Sequence, residues 1–173
     1  YLIFEIIKSF QNLKSWNELI QFIDTKLDSK VKNLLYVKQQ YALAYNKRAN
    51  EGDLETSIEL LFSILREHGY SSETYGLIGS AYKRLALRNF SNSCYATHLD
   101  RAILNYKAGF EFDSRDFYTG INLATLLLLK GTEQSLADMN KIIPVLKYNI
   151  ELNDFDITND YWLLATAYEL YIL

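Results

Sequence analysis

The chain has 173 residues, of which 49% are hydrophobic and 23% are charged, a balance typical of a folded globular domain. One proline and seven glycines leave few residues for tight β-turns, so the composition favours helices. A net charge of −3 argues against a nucleic-acid-binding surface. A single cysteine excludes an internal disulfide, and the absence of a long apolar run excludes a membrane span. We therefore expect a cytoplasmic domain.

Residues 1–28 predict a first pair of helices. Apolar side chains recur at helical spacing over 2–10 and again over 16–27. Ser15, with Glu18 three residues later, predicts a capping box at the start of the second helix. We interpret this pair as a degenerate first repeat.

The second predicted pair is longer. One continuous helix is expected from Ser29 to Ala49, followed by a turn in which Asp53 caps the next helix. That helix ends at His68, and Gly69 stands in the left-handed position of a C-terminal cap.

A third pair begins at Ser72, the predicted N-cap of a helix that extends to about Asn89. Residues 91–97 form a polar insertion. We expect the second helix of this pair to start at Leu99 or Asp100.

The fourth pair has clear limits. Its first helix is predicted from Phe117 to Lys130, closed by Gly131, and its second helix contains Pro144, which should kink it. A last helix, starting near residue 158, has no partner after it. We therefore expect the chain to be a fragment of a larger protein, with a truncated last repeat.

One motif of two large residues, a small residue and an aromatic residue recurs in the first helices of these pairs. It occurs as Tyr75-x-x-Ile78-Gly79-x-x-Tyr82, as Tyr161-x-x-Leu164-Ala165-x-x-Tyr168 and, less strictly, as Lys38-x-x-Tyr41-Ala42-x-x-Tyr45. The small residue lets a second helix approach, and the aromatic residue fills the groove beside it. This is typical of tetratricopeptide (TPR) repeats. We predict an all-α, right-handed TPR-like helical-repeat solenoid that forms one domain over 1–173, with a degenerate first pair over 1–28 and repeats of stretched spacing over 29–173.

Four segments, taken in order, resemble one known family. Two are Gln40-Tyr41-Ala42-Leu43-Ala44-Tyr45-Asn46-Lys47-Arg48 and Glu73-Thr74-Tyr75-Gly76-Leu77-Ile78-Gly79-x-x-Tyr82-Lys83. The others are Asp100-Arg101-Ala102-Ile103-x-x-Tyr106-x-x-Gly109-Phe110-Glu111-x-Asp113-x-Arg115-Asp116-x-Tyr118-x-Gly120-Ile121-Asn122 and Asp160-Tyr161-Trp162-x-x-Ala165-Thr166. Over about residues 40–173 they resemble the TRAFs-binding domain of the apoptosis signal-regulating MAP kinase kinase kinases, and most closely its bacterial relatives. The resemblance implies a TPR-like regulatory domain that binds partners, and the sequence carries no kinase signature.

A helical-repeat fold offers an extended surface rather than a catalytic cleft. We therefore predict a non-catalytic protein–protein interaction and regulatory module of a larger signalling or defence protein. It would bind a peptide, a partner domain or its own effector domain along the concave wall lined by the first helices. The candidate contacts are the helix ends on this wall and two residues that extend it: Asn46, Lys47, Lys83, Arg84, Trp162 and Glu169. In the simpler interpretation, the basic residues favour the helix dipole and solubility.

Other features leave alternatives open. Asn122 either orients a bound backbone or, with Asp116 as a helix cap, bonds to a neighbouring helix. Cys94 and His98 fall short of the four ligands that zinc needs, so we expect no metal, cofactor or catalytic site. Nucleic-acid and membrane partners are not expected, whereas pairing of exposed apolar ends between copies is a further alternative. The main alternative function is a sensor that binds a small signalling molecule or nucleotide between repeats.

Overall fold

The computed structural model of the chain describes residues 2–152. This range is helical throughout apart from its connections, which confirms the predicted all-α class. The helices are α1 Leu2–Asn12, α2 Trp16–Lys26, α3 Ser29–Lys32, α4 Leu35–Arg48, α5 Asp53–His68, α6 Ser72–Arg88, α7 Cys94–Phe112, α8 Phe117–Lys130 and α9 Glu133–Leu152. None of them is both long enough and apolar enough to cross a membrane. The predicted last helix lies outside the described residues.

The chain divides into two compact units. The first, Tyr1–Gly69, contains α1 to α5, and the second, Tyr70–Leu173, contains α6 to α9. In the first unit, α1, α2 and α4 share an apolar core of fully or nearly fully buried side chains: Ile7, Leu19, Ile20, Ile23, Val37 and Ala44. Burial of these side chains is the main force that holds the three helices together.

Arg48 fixes the turn between α4 and α5. Its Nε and Nη2 atoms donate to the two carboxylate oxygens of Asp53, each over 2.7 Å, and Nη1 donates to Asn17 Oδ1 over 3.2 Å. The guanidinium also lies 5.0 Å from the centre of the Tyr45 ring. Because Asp53 is buried, this two-pronged ion pair is the charge partner that makes its burial tolerable.

Three sequence predictions for the first unit are wrong in detail. The single helix expected over 29–49 is broken, because α3 is a separate turn capped by Asp28 and Leu34 is extended before α4. Asp53 is the first residue of α5 rather than its cap, since its carboxylate is occupied by Arg48 and by the N–H of Asn50. Ser15 precedes α2 as predicted, but its side chain makes no capping hydrogen bond.

In the second unit, glycines allow close helix packing, as the motif predicts. A Cβ atom on Gly79 would lie 2.9 Å from the ring of Tyr106 on α7, closer than real Cβ atoms come to other atoms. Gly120 of α8 packs in the same way against Phe110, where a Cβ atom would stand 2.8 Å from the ring. Both glycines are therefore needed, because neighbouring side chains occupy the space of the missing Cβ: the Tyr106 ring of α7 at Gly79, and Leu146 of α9 together with the Phe110 ring at Gly120.

Helix boundaries in the second unit follow the predictions in part. Ser71, rather than Ser72, caps α6, because its Oγ accepts from the N–H of Thr74. Helix α7 starts at Cys94, so much of the predicted polar insertion is helical. Helix α8 has the predicted bounds and ends at Gly131, whose φ of 65° is the expected left-handed conformation. Gly69, at the end of the first unit, has a positive φ of 84° but an extended ψ of −175° rather than the left-handed helical value.

Candidate functional site

Helices α6 and α8 lie side by side and run in the same direction. Ser72 at the start of α6 donates to the carboxylate of Asp116, which caps α8. One turn further along, Gly76 faces Thr119, and a Cβ atom on this glycine would lie 3.1 Å from the Thr119 methyl group. Nearer the end of α6, Lys83 reaches Asn122. The first helices of two successive pairs thus form one continuous face in the second unit.

The α6–α8 face is defined here by the side chains that share one side of each helix at helical spacing. From α6 these are Leu77, Lys83, Arg84 and Leu87, and from α8 they are Tyr118, Asn122, Thr125 and Leu129. Three of the large apolar side chains are exposed: Leu87 by 59%, Leu129 by 51% and Tyr118 by 47%. Large apolar side chains grouped on an exposed face mark surfaces that contact other molecules.

Lys83 joins the two helices of this face. Its ammonium group donates to Asn122 Oδ1 over 2.6 Å and lies 6.0 Å from the centre of the Tyr106 ring. The Asn122 amide group in turn donates to the carbonyl of Tyr118 over 2.8 Å. Of the two interpretations of Asn122, the structure therefore supports the bond to a neighbouring helix, and Asp116 is the expected cap of α8.

Tyr106 supports the face from below. It is fully buried, its hydroxyl oxygen lies 3.4 Å from that of Tyr118, and the two rings meet edge to face with centres 5.9 Å apart. Burial, reinforced by the Tyr118 hydroxyl, raises the pKa of Tyr106 well above its usual range. Tyr106 is therefore a neutral hydrogen-bonding support for Tyr118 rather than an acid or a nucleophile.

Arg84 differs from its neighbour Lys83. Its side chain is partly exposed, and within residues 2–152 it takes part in no hydrogen bond or ion pair. Its positive charge favours a lower pKa of the Tyr106 hydroxyl, although burial of that ring outweighs the effect. A partly exposed guanidinium beside exposed apolar side chains is suited to bind a carboxylate of another molecule.

The remaining predicted contact residues are placed as follows. Asn46 and Lys47 lie at the end of α4 in the first unit. Lys47 is exposed, but Asn46 is only 1% exposed, so the expectation that it stands at an exposed helix end is wrong. It lies one helical turn after the buried Ala42 and faces the interior with it. Trp162 and Glu169 lie outside the described residues.

Arg115 does not join the face. Its guanidinium donates twice to Asp113 in the loop before α8, with distances of 2.9 Å, and its side chain is 81% exposed. The Arg115 contact lowers the pKa of the Asp113 carboxyl below its ordinary value. Arg115 precedes the first residue of α8, and its side-chain hydrogen bonds are to Asp113 rather than to Tyr118 or Asn122.

A separate groove lies between α7 and α9, with α8 at its floor. It encloses about 520 Å³, and apolar side chains that include Leu104 and Leu127 line it. Its rim carries three ion pairs, namely Lys130–Asp100 at 2.7 Å, Lys141–Asp138 at 2.8 Å and Lys107–Glu111 at 3.7 Å. Among the side chains that the structure describes at this rim, three cations and three carboxylates balance, so they supply no excess positive charge for a phosphate group.

The Cys94–His98 pair has a structural setting. His98 stacks on the ring of Tyr82, with centres 6.3 Å apart, and Cys94 is exposed at the start of α7. Over the part of the chain that the structure describes, no three His, Cys, Asp or Glu side chains are grouped closely enough to hold a metal ion.

Comparisons with known proteins agree with this architecture. The family model described as MAP3K TRAFs-binding domain matches residues 1–173. The chain is 26% identical to mitogen-activated protein kinase kinase kinase 15 of Mus musculus over 82% of its own length. It is also 26% identical to mitogen-activated protein kinase kinase kinase nsy-1 of Caenorhabditis elegans over 97% of its length. It spans 11% of each of these two proteins.

Among solved structures, the chain resembles the human protein in "Human IFIT1 dimer with PPP-AAAA", with a TM-score of 0.62. The match covers 96% of this chain and 39% of that one, at 16% sequence identity. Because that protein is built of TPR-like helical repeats, the likeness confirms the predicted fold class. At this identity the likeness concerns the fold alone.

Proposed function

The chain belongs to the MAP3K TRAFs-binding domain family, and from this we propose that it is a non-catalytic regulatory module that binds a segment of another protein on the α6–α8 face. The family description names TRAFs, so a TRAF-type protein is the first partner to test. Because the chain spans only 11% of the two kinases it matches, their kinase activity is not part of the proposal.

The observation that carries this proposal is the composition of the α6–α8 face. Leu87, Tyr118 and Leu129 are about half exposed or more, although the helices beneath them are tightly packed. Folding alone gains nothing from apolar side chains left in water, whereas a bound partner would bury them and gain about 25 cal/mol for each Å² removed from water. Arg84 beside them supplies a charge that orients the partner.

Several finer features belong to the same proposal. The partner segment comes from a separate protein or from an effector domain of the same polypeptide, and the setting is cytoplasmic. Lys47 of the first unit and the predicted Trp162 and Glu169 are further candidate contacts for a partner. We also propose that 1–173 is one repeat domain with a degenerate pair at 1–28, and that its nearest relatives are bacterial.

The test is a binding titration of the 173-residue chain against a purified TRAF domain and against other domains of its own polypeptide. Leu129→Glu places a charge on the α6–α8 face and should weaken binding at least about tenfold, because the partner would remove this charge from water and could no longer bury a leucine there. Leu104→Glu is the matched control, since Leu104 is 65% exposed on α7 but lies in the other groove.

Two outcomes would reject the proposal. Binding that Leu104→Glu weakens and Leu129→Glu leaves unchanged would move the site to the α7–α9 groove. Failure of the chain to bind any of these domains would argue against an interaction module of this kind.

A small-molecule sensor is the second candidate, and the α7–α9 groove favours it because its volume is in the range of ligand pockets. Its balanced charges disfavour nucleotides. The test is a thermal melt with each member of a panel of mononucleotides and cyclic nucleotides. A ligand of the panel present at about 100 times its Kd would stabilise a sensor by about 2.7 kcal/mol. We expect no change in Tm, and a rise of several degrees with one ligand would support the sensor instead.

A further inference from the structure

We propose that the α6–α8 face selects acidic partner segments, and that Arg84 is the residue that binds their carboxylate, while Lys83 holds the face in shape. This inference rests on the proposed function and adds the chemical class of the partner. It also divides the work between two adjacent cations that the sequence alone treats as equivalent.

The two adjacent cations differ in what they contact. The Lys83 ammonium is directed across to α8, where it donates to Asn122 Oδ1 over 2.6 Å. The Arg84 side chain stands beside it, partly exposed, and bonds to nothing within residues 2–152. A carboxylate that approaches the face would have to break an existing bond to reach Lys83 but would displace only water from Arg84.

The two helices of the face carry few acidic residues. Helix α8 contains no acidic residue, and α6 contains only Glu73, in its first turn. Arg84 lies eleven residues after Glu73, about 16 Å along the helix axis at 1.5 Å per residue. The face is therefore positive in a chain whose net charge is −3, and this local excess attracts acidic and repels basic segments.

Arg84 shares the face with large apolar side chains. Leu87 follows it at the next turn of α6, and Leu129 lies on the parallel α8. A segment whose carboxylate pairs with Arg84 would thus place its adjacent side chains on leucines. We infer that the preferred segment combines Asp or Glu with a neighbouring large apolar residue.

The experiment is a selection of random twelve-residue peptides displayed on phage, with the immobilised 173-residue chain as the target. Three targets are compared: the wild type, Arg84→Glu and Arg66→Glu. Arg66 is an exposed arginine on α5 of the first unit, so its reversal makes the same change in net charge away from the face. Circular dichroism melts establish that each target is folded, and Arg84→Gln replaces Arg84→Glu if the latter unfolds.

We expect peptides selected on the wild type and on Arg66→Glu to be enriched in acidic residues next to Leu or aromatic residues. Selection on an Arg84 variant should lose the acidic enrichment. A synthetic peptide from the wild-type selection should bind Arg84→Glu at least about tenfold more weakly, and exchange of its acidic residue for Lys should restore part of the affinity.

Peptides without acidic enrichment, enrichment that survives the Arg84 substitutions, or no selected peptide at all would each overturn the inference. These results are distinguishable from failure of the proposed function. Neutral peptides that compete with a bound TRAF domain would leave the interaction module intact and reject only the acidic preference. Conversely, Arg84-dependent acidic peptides without TRAF binding would retain the inference and reject that partner.

Discussion

The Lys83 ammonium donates to the Asn122 side chain across 39 residues of sequence, over 2.6 Å, and so links two successive first helices on the exposed face. The bond is charge-assisted, and Asn122 is held in place by its own bond to the Tyr118 carbonyl. A side chain that the sequence presents as a surface cation is therefore part of the internal bonding of the second unit.

Replacement of this lysine tests its structural role. We expect Lys83→Met, which keeps most of the aliphatic chain, to lower the free energy of unfolding by about 1 kcal/mol, because a partly exposed charged hydrogen bond is lost. Urea denaturation measures the change. The control is Lys8→Met on α1, an exposed lysine whose substitution should change stability by less than about 0.5 kcal/mol. Equal effects of the two substitutions would contradict the assigned role.

The close contact between Gly79 and the Tyr106 ring predicts a graded response to added methyl groups. Gly79→Ala should destabilise the chain by about 1–3 kcal/mol, despite the better helix propensity of alanine, because the ring cannot move out of the packed core. Gly76→Ala meets its nearest atoms at 3.1–3.3 Å and should cost less. Thermal melts of both variants decide the order, and a Gly79→Ala variant as stable as the wild type would show that α6 and α7 are not packed this closely.

The Arg48–Asp53 pair in the first unit should contribute far more stability than the Arg115–Asp113 pair in the second. Arg48→Met leaves a buried carboxylate without its partner, and we expect a loss of about 3 kcal/mol in the free energy of unfolding. Arg115→Met removes a solvent-exposed ion pair, which water screens, and should lower the free energy of unfolding far less than Arg48→Met. Similar losses in chemical denaturation would mean that Asp53 is more hydrated than the structure shows.

Glu73 gives a prediction for pH dependence. Desolvation and then the nearby Asp116 carboxylate raise the pKa of Glu73 in the folded chain. A raised carboxyl pKa means that the folded state binds the proton more tightly than the unfolded state, so ionised Glu73 opposes folding at neutral pH. Glu73→Gln should therefore raise Tm at pH 7, and this gain should disappear as the pH falls through the folded pKa and below the ordinary value of about 4.3. A gain that is independent of pH would contradict the electrostatic cause.

The sequence predicts the helical repeats better than it predicts the side-chain hydrogen bonds between them. Spacing of small and aromatic residues suffices to predict the packing of Gly79, because a first helix of this kind needs a gap for a side chain of its neighbour. Which of two adjacent serines caps α6 cannot be predicted, since Ser72 is drawn to Asp116, 44 residues away. The burial of Asn46 was missed for a similar reason. A polar residue at a helix end is usually exposed, and only the packing of α4 directs this one inward.

In the candidate site too, local spacing does not predict contacts between residues that are distant in sequence. Lys83 and Arg84 are adjacent in sequence and have the same charge, so no local pattern separates their roles. The distinction arises from Asn122 of α8, whose side chain accepts a hydrogen bond from Lys83 and not from Arg84. When the repeats are aligned at a spacing of 43 residues, Asn122 is the equivalent of Gly79. A polar residue at a position that is small in the other repeat is the sequence signal for a bond between the helices.

Photo-crosslinking tests the binding face most directly. Benzoylphenylalanine is introduced singly at positions 87 and 129 of the α6–α8 face and at position 104 of the α7–α9 groove, all exposed leucines in the wild type. Each chain is then irradiated with the partner domain found by titration. We expect crosslinks to the partner from positions 87 and 129 and none from 104. Crosslinks from position 104 alone would contradict the proposed binding face.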